Sequence, residues 1–151
     1  MPVETARVAV APLREEDHAR WDVLAHGYKT FYETVLADAD YDHAWARLLR
    51  DDGIHGLGAH VDGTLVGIVH YLFHANIWTP HVCYLQDLFV DPAVRGRGTA
   101  RALIDAVAEQ ARARGAARLY WMTRHDNTVA RALYDKVGVH RGFIRYEYPL
   151  A

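Results

Sequence analysis

The chain has 151 residues, 51% hydrophobic and 24% charged, with a formal net charge of -2. This profile is that of one globular domain, residues 1–151, and its near-balanced charge excludes a protein that holds nucleic acid or an anionic membrane by charge alone. Glu4 and Arg7 stand where a secretory signal would be apolar and no apolar run has the length of a membrane span, so the expected location is the cytoplasm.

Residues 7–12 alternate and end at Pro12, which predicts a first strand. Behind the acids at 15–17, Trp21, Leu24, Tyr28, Phe31 or Tyr32 and Val35 recur at helical spacing, a helix expected to break near Gly27. Residues 41–53 read as a second helix ended by Gly53. Asp62-Gly63 between two alternating runs predicts a hairpin over 54–74, and residues 81–92 form a further strand ending at Asp91-Pro92. A helix from Thr99 to Arg114 carries Ala100, Leu103, Ile104, Val107 and Ala111 on one face, with Gly115 at its C-cap. A strand over 117–123, a helix over 128–137 stopped by Gly138 and a last strand over 142–150 complete an α/β domain with a mixed sheet.

The stretch "VDPAVRGRGTARAL", residues 90–103, joins a strand end, two glycines, two arginines and a helix start. The first N–H groups of a helix lack intrahelical partners and its dipole favours negative charge there, so this is an anion cradle. Gly96 and Gly98 let a ligand approach the backbone, and Arg95 and Arg97 add charge-assisted bonds to phosphate oxygens. Six arginines stand against two carboxylates between Arg95 and Arg118, in a chain of negative net charge. A P-loop is excluded because no Gly-Lys-Ser/Thr occurs. A dinucleotide fingerprint fails because Arg101 occupies the third small position.

The ten histidines do not compose a metal site. His70 and His74 in one strand would lie about 13 Å apart, too far for one ion. Asp38 to Asp42 imitate the opening of a calcium loop, yet His43 stands where glycine is required and Leu49 where glutamate is. No metal is expected. The single cysteine, Cys83, lies in an apolar strand and reads as a buried thiol rather than a nucleophile.

R-x-x-G-x-A, present as Arg95, Gly98 and Ala100 after "YLQDLFVDP", resembles the acetyl-CoA motif of the GNAT family of N-acetyltransferases. "WMTRHDNTVARALYDKVG" is similar to that family's second half, where an asparagine precedes a helix with a Leu-Tyr pair. Asn127 and Tyr134, seven apart, share one face of the helix. "YLQDLFV", "NTVARALYDKVG" and "GYKTFYETVL" look most like the branch containing yeast histone and polyamine acetyltransferases.

The resemblance implies a GNAT fold with about four helices and a splayed strand pair. It implies acetyl-CoA as co-substrate, with the backbone of Leu88, Phe89 and Val90 pairing with the pantetheine arm. Arg95, Gly96, Arg97, Gly98, Thr99 and Ala100 would hold the pyrophosphate, and Asn127, Ala130 and Tyr134 would complete the cofactor site. Tyr134 corresponds to the general acid, although spacing alone reads it as part of an apolar stripe with 129, 130, 133 and 137. Gln86-Asp87 stands where relatives carry Glu-Asp, which leaves Asp87 to accept a proton through water or to orient a cationic acceptor, or to be satisfied by backbone donors. His81 is a second candidate base. Tyr28, Tyr32, Gln86 and Asp87 would meet the acceptor, a small-molecule or peptide amine, with Phe31 in the same aromatic wall or in the core and the acids at 38–42 as a lip. The implied activity is direct acetyl transfer to a primary amine, the alternative being a non-catalytic acyl-CoA sensor, and a homodimer is expected.

Overall fold

The computed structural model describes residues 7–151, so the segment bearing Glu4 lies outside the described residues. The chain divides into two compact units, the first ending at Trp121 and the second running from Met122 to Ala151.

In the first unit, strands β1 (Ala9–Pro12), β2 (His55–Val61), β3 (Thr64–Ala75), β4 (His81–Val90) and β5 (Leu119–Tyr120) lie side by side in chain order. Neighbours are antiparallel except β4 and β5, which are parallel, so the sheet is mixed as expected. The β2–β3 turn is at Asp62-Gly63, where φ is 50° and 79°. Positive φ at both central residues is the geometry whose twist suits a two-residue hairpin.

Two helices, α1 (His18–Phe31) and α2 (Asp38–Arg50), cover one face of the sheet. Trp21 and Leu24 of α1 pack with Tyr41, Trp45 and Leu48 of α2 over Leu65 and Ile68 of β3. A third helix, α3 (Thr99–Ala113), covers the other face, burying Leu103, Ile104 and Val107. Close approach there needs Gly67, where a Cβ would sit 3.0 Å from the Leu103 side chain and 3.2 Å from Thr99.

The break expected at Gly27 is not there: α1 runs through it to Phe31. Glycine costs a helix interior about 0.5–1 kcal/mol, but here it admits the ring of Phe89, whose nearest carbons lie 2.9 Å from where a Cβ would be. Tertiary packing outweighs propensity. Val35 falls beyond the helix and is exposed, as is Phe31, so neither belongs to the core. Helix α2 begins at Asp38, with the Asp40 carboxylate accepting the Ala37 N–H at 3.0 Å, and it is capped by Asp51 in the left-handed region rather than by Gly53.

Strand β5 is two residues long where seven were expected. In the second unit the helix α4 (Thr128–Val137) ends at Gly138 as anticipated. The strand expected over 142–150 does not form, since residues 139–151 carry no helix or strand. Alternation becomes a strand only where a neighbour pairs its N–H and C=O groups, and Phe143, Ile144, Tyr146 and Tyr148 are instead exposed.

The Gly27 contact generates a test. Gly27→Leu forces a branched side chain against the Phe89 ring and is expected to destabilise the fold by about 1–3 kcal/mol. The readout is a lower urea midpoint at constant slope, and an unmoved midpoint would contradict the tight approach.

Candidate active site

Strand β4 pairs with β3 through a register shift: Asp87 faces His70, Leu85 faces Tyr71, and Gln86 between them has no opposite residue. One extra residue in a strand reverses the alternation that follows it. Leu85 and Cys83 lie on the face covered by α3, together with Tyr71 and Phe73, and strict alternation would send Asp87 there too. The bulge turns it instead toward α1, where Phe89 also points. Gln86 is left exposed.

Asp87 is thereby largely buried and needs donors. Nδ1–H of His70 donates to its Oδ2 at 2.9 Å, and the Tyr28 hydroxyl donates to the same carboxylate. On the far side of the imidazole, Trp21 donates its indole N–H to His70 Nε2 at 3.0 Å. Burial alone would push the Asp87 carboxyl up. The hydrogen bond and electrostatic pull of His70, followed by the hydrogen bond from Tyr28 and the Lys29 ammonium, outweigh it and hold the group below the usual aspartate range. Tyr28 responds oppositely: burial first, then the charge of Asp87 that its hydroxyl binds, pushes its pKa far upward. It is therefore a donor and not a base.

Further aromatic rings adjoin Tyr28 on α1 and line the neighbouring strands. Tyr32 lies 4.9 Å from Tyr28, ring centre to ring centre, and Phe31 lies 5.1 Å from Tyr32. On the sheet, Tyr84 stacks on Tyr120 at 4.9 Å, and the Tyr120 hydroxyl donates to His74 Nε2 at 2.8 Å. His74 and His70 thus have separate partners, and among the described residues no group of three or more His, Cys, Asp or Glu is placed to hold a metal ion. The expected acidic lip is elsewhere: Asp38 and Asp42 line a cleft with Glu15, Glu16 and Asp22, on the side of α1 where His26 stacks on Tyr41 of α2 at 3.8 Å. His81 packs edge-on against Phe73 at 5.5 Å, on the α3 face and away from Asp87.

The strand that carries Asp87 also leads into the cradle. Only Cys83 and Tyr84 of β4 pair with β5, through Leu119 and Tyr120. From Leu85 to Val90, including Leu88 and Phe89, the strand has no β5 neighbour, which is the splay expected. Asp91 then ends the strand, its carboxylate accepting the Ala93 N–H at 3.0 Å and an Arg20 N–H at 3.1 Å. The Ala93 bond, more than the Arg20 contact, holds its carboxyl below the usual range.

After a short turn, Gly96 and Gly98 take φ of 83° and 77°, and space is open beside both. Gly98 caps α3, whose first closed bond is Ala102 N–H to the Gly98 carbonyl at 3.0 Å. The preceding amides therefore lack intrahelical acceptors. Thr99, the first helical residue, is 2% exposed and its buried Oγ1 has no hydrogen-bond partner. An unmet buried donor beside free amides fits an anionic guest. Arg95 spans back to the Val90 carbonyl at 3.4 Å and lies over the Phe89 ring at 5.7 Å, while Arg97 is exposed. Arg101 is tied to Asp105 and Arg114 lies over Phe73, so the basic excess is less concentrated than the sequence implied.

In the second unit, Asn127 occupies the N-cap position of α4 but caps nothing with its side chain. Its amide donates to Thr123 Oγ1 at 3.0 Å. Ala130 and Tyr134 follow on the same helix.

Residues 21–139 match the acetyltransferase (GNAT) family. A D-amino-acid N-acetyltransferase of Saccharomyces cerevisiae is 31% identical over 146 residues, covering 93% of this chain and 90% of the relative. The chain belongs to the GNAT family. Among solved structures, a ribosomal-protein-alanine N-acetyltransferase from Brucella melitensis biovar Abortus 2308 superimposes with a TM-score of 0.82 at 26% identity, covering 95% of this chain and all of that one. An aminoglycoside N-acetyltransferase in complex with CoA shares the fold at a TM-score of 0.85 and 18% identity, covering 99% and 98%. This GNAT protein is an acyltransferase of the α/β fold described above. Its Cys83 is fully buried, with burial pushing the thiol up to about 11, as a strand thiol without a catalytic role would be. Among the described residues no helix is long and apolar enough to cross a membrane.

In the sequence Asp87 and Tyr28 stand as site candidates, whereas His70 enters only as a rejected metal ligand and Trp21 only as a helix-face residue. The available signal was a histidine between Val69 and Tyr71 in an otherwise apolar strand, since a polar group buried there requires a partner. The donors around Asp87 generate a direct check. Its carboxyl carbon, followed by NMR, is expected to titrate below the ordinary aspartate value of 3.8, and a midpoint above that value would contradict the hydrogen bonding described.

Proposed function

We propose that the chain, acting as one domain over residues 1–151, transfers the acetyl group of acetyl-CoA directly to a primary amine of a small molecule, polyamine or peptide. The observation that carries this reading is the largely buried Asp87 carboxylate, held ionised at the point where β4 parts from β5. Family membership supplies the reaction class, and the relatives act on a D-amino acid and on a ribosomal-protein alanine.

Transfer requires a neutral amine to attack the thioester carbon, forming a C–N bond as the C–S bond breaks. Asp87, among the hydroxyls of Tyr28 and Tyr32 and beside Gln86, receives the acceptor as an ammonium ion. A depressed carboxyl is a poor base and a good counterion. The proton that the amine must lose passes through water, with Asp87 orienting it. Tyr134 supplies the proton that the departing thiolate takes up. The amides and side chains from Arg95 to Ala100 hold the pyrophosphate, the backbone of Leu88, Phe89 and Val90 holds the pantetheine arm, and Asn127 and Ala130 contribute from α4. Binding is supported by the open glycines, the unmet Thr99 hydroxyl and a fold neighbour crystallised with CoA. The proposed enzyme is a cytoplasmic homodimer, and sedimentation as a monomer at micromolar concentration would remove the dimer.

Two measurements test the reading. In calorimetry, Arg95→Ala with Arg97→Ala is expected to weaken acetyl-CoA binding by about tenfold or more, since a hydrogen bond to a charged group contributes about 1.5–3 kcal/mol. In a thiol-release assay over polyamines, amino acids and peptides, CoA release should depend on the amine, and Tyr134→Phe should lower kcat by about 10²–10⁴-fold. A folded protein that binds acetyl-CoA yet acetylates no amine would favour an acyl-CoA sensor.

A further inference from the structure

We propose that Trp21 and His70 are positioning residues that fix which proton the imidazole presents to Asp87, and so leave the carboxylate's charge available to an ammonium acceptor. The inference rests on the role given to Asp87 above. It concerns two buried side chains that meet neither reacting atom.

The donors and acceptors on either side of the imidazole fix its tautomer. An indole N–H donates and cannot accept, so the nitrogen facing it at 3.0 Å must offer a lone pair. That nitrogen is His70 Nε2, and the ring proton therefore sits on Nδ1, where it donates to Asp87 Oδ2 at 2.9 Å. A proton on Nε2 would set two donors against each other. The opposite tautomer would also turn a bare Nδ1 toward the carboxylate, placing two acceptors in contact. Trp21 thus sets the polarity of the whole chain, and the indole is itself 2% exposed and wedged against Trp45, so it cannot turn away.

A neutral imidazole gives Asp87 a hydrogen bond without cancelling its charge. A cationic partner at the same place would form a closed ion pair and leave nothing for an incoming ammonium ion. The groups that face this chain fit that purpose. From α1 come Tyr28, which donates to Asp87, and Tyr32 and Lys29 beyond it. From β4 comes Tyr84, and from β2 the residue opposite His70 is Gly56. With the ring proton fixed on Nδ1, the carboxylate has the His70 N–H and the Tyr28 hydroxyl as its donors, and the Lys29 ammonium also acts on it. Ring faces favour a cation, which adds to the pull of the carboxylate.

The test combines a spectroscopic signature with a split of kinetic constants. Long-range ¹H–¹⁵N NMR of the free wild-type protein at pH 7.5 is expected to show His70 with its proton on Nδ1 and a bare Nε2. A proton on Nε2 would overturn the inference without any assay. For kinetics, the amine is the best substrate from the panel above. His70→Ala is expected to raise its KM by about tenfold, the loss of one charge-assisted hydrogen bond, while the KM for acetyl-CoA stays within about twofold of wild type by the same reckoning. His70→Asn, whose amide can donate from the Nδ1 position, should recover most of that loss. Trp21→Phe should show mixed tautomers and an intermediate KM. Asp87→Asn separates the two levels of the argument. If it leaves the amine KM unmoved, the role of Asp87 fails. If it raises the KM while His70→Ala does not, the positioning role alone fails.

Discussion

A single unpaired residue in β4 decides where the chemistry of this protein can be. The bulge at Gln86 reverses the alternation of the strand, so that Cys83 and Leu85 serve the core beneath α3 while Asp87 and Phe89 serve the face beneath α1. Without it the carboxylate would turn to the face beneath α3, away from His70 and Tyr28, and a buried carboxylate parted from its donors costs several kcal/mol. With it, the same residue meets His70 and Tyr28.

The strand also links two sites of opposite polarity. Near its middle it carries a carboxylate on the α1 face, and at its end it opens into glycines, Arg95, Arg97 and the start of α3. By charge, the helix terminus suits an anion and the carboxylate a cation, and the edge left by the short β5 runs between them. That division matches a reaction that joins a phosphorylated acyl carrier to an amine. The backbone sets both ends. The bulge orients Asp87, and positive φ at Gly96 and Gly98 leaves amides facing outward.

Packing around α1 shows how the site is held. Gly27 lets the Phe89 ring seat against the helix, which brings Tyr28 above Asp87 one residue later. Trp21, about two turns before Tyr28, sits in the aromatic core with Trp45 and still directs its one polar atom to His70. Core and site share this helix, so the residues that stabilise it also aim the donors.

Much of this was legible in the residues themselves. The Asp62-Gly63 hairpin, the α3 face, the Gly115 and Gly138 stops and the cradle from Arg95 to Ala100 all follow from local rules, because turns, caps and helix faces depend on neighbours close in sequence. What remained hidden depends on distant partners. Gly27 reads as a break until Phe89 is known to lie against it, and the 142–150 alternation reads as a strand whether or not a neighbour pairs with it. Pairing between His70 and Asp87 is set by the β3–β4 register, which a bulge shifts without any marker in residue type. Sequence determined which groups the protein owns and the local frames that carry them; tertiary structure decided which groups face one another, because a one-residue slip in a strand exchanges its two faces.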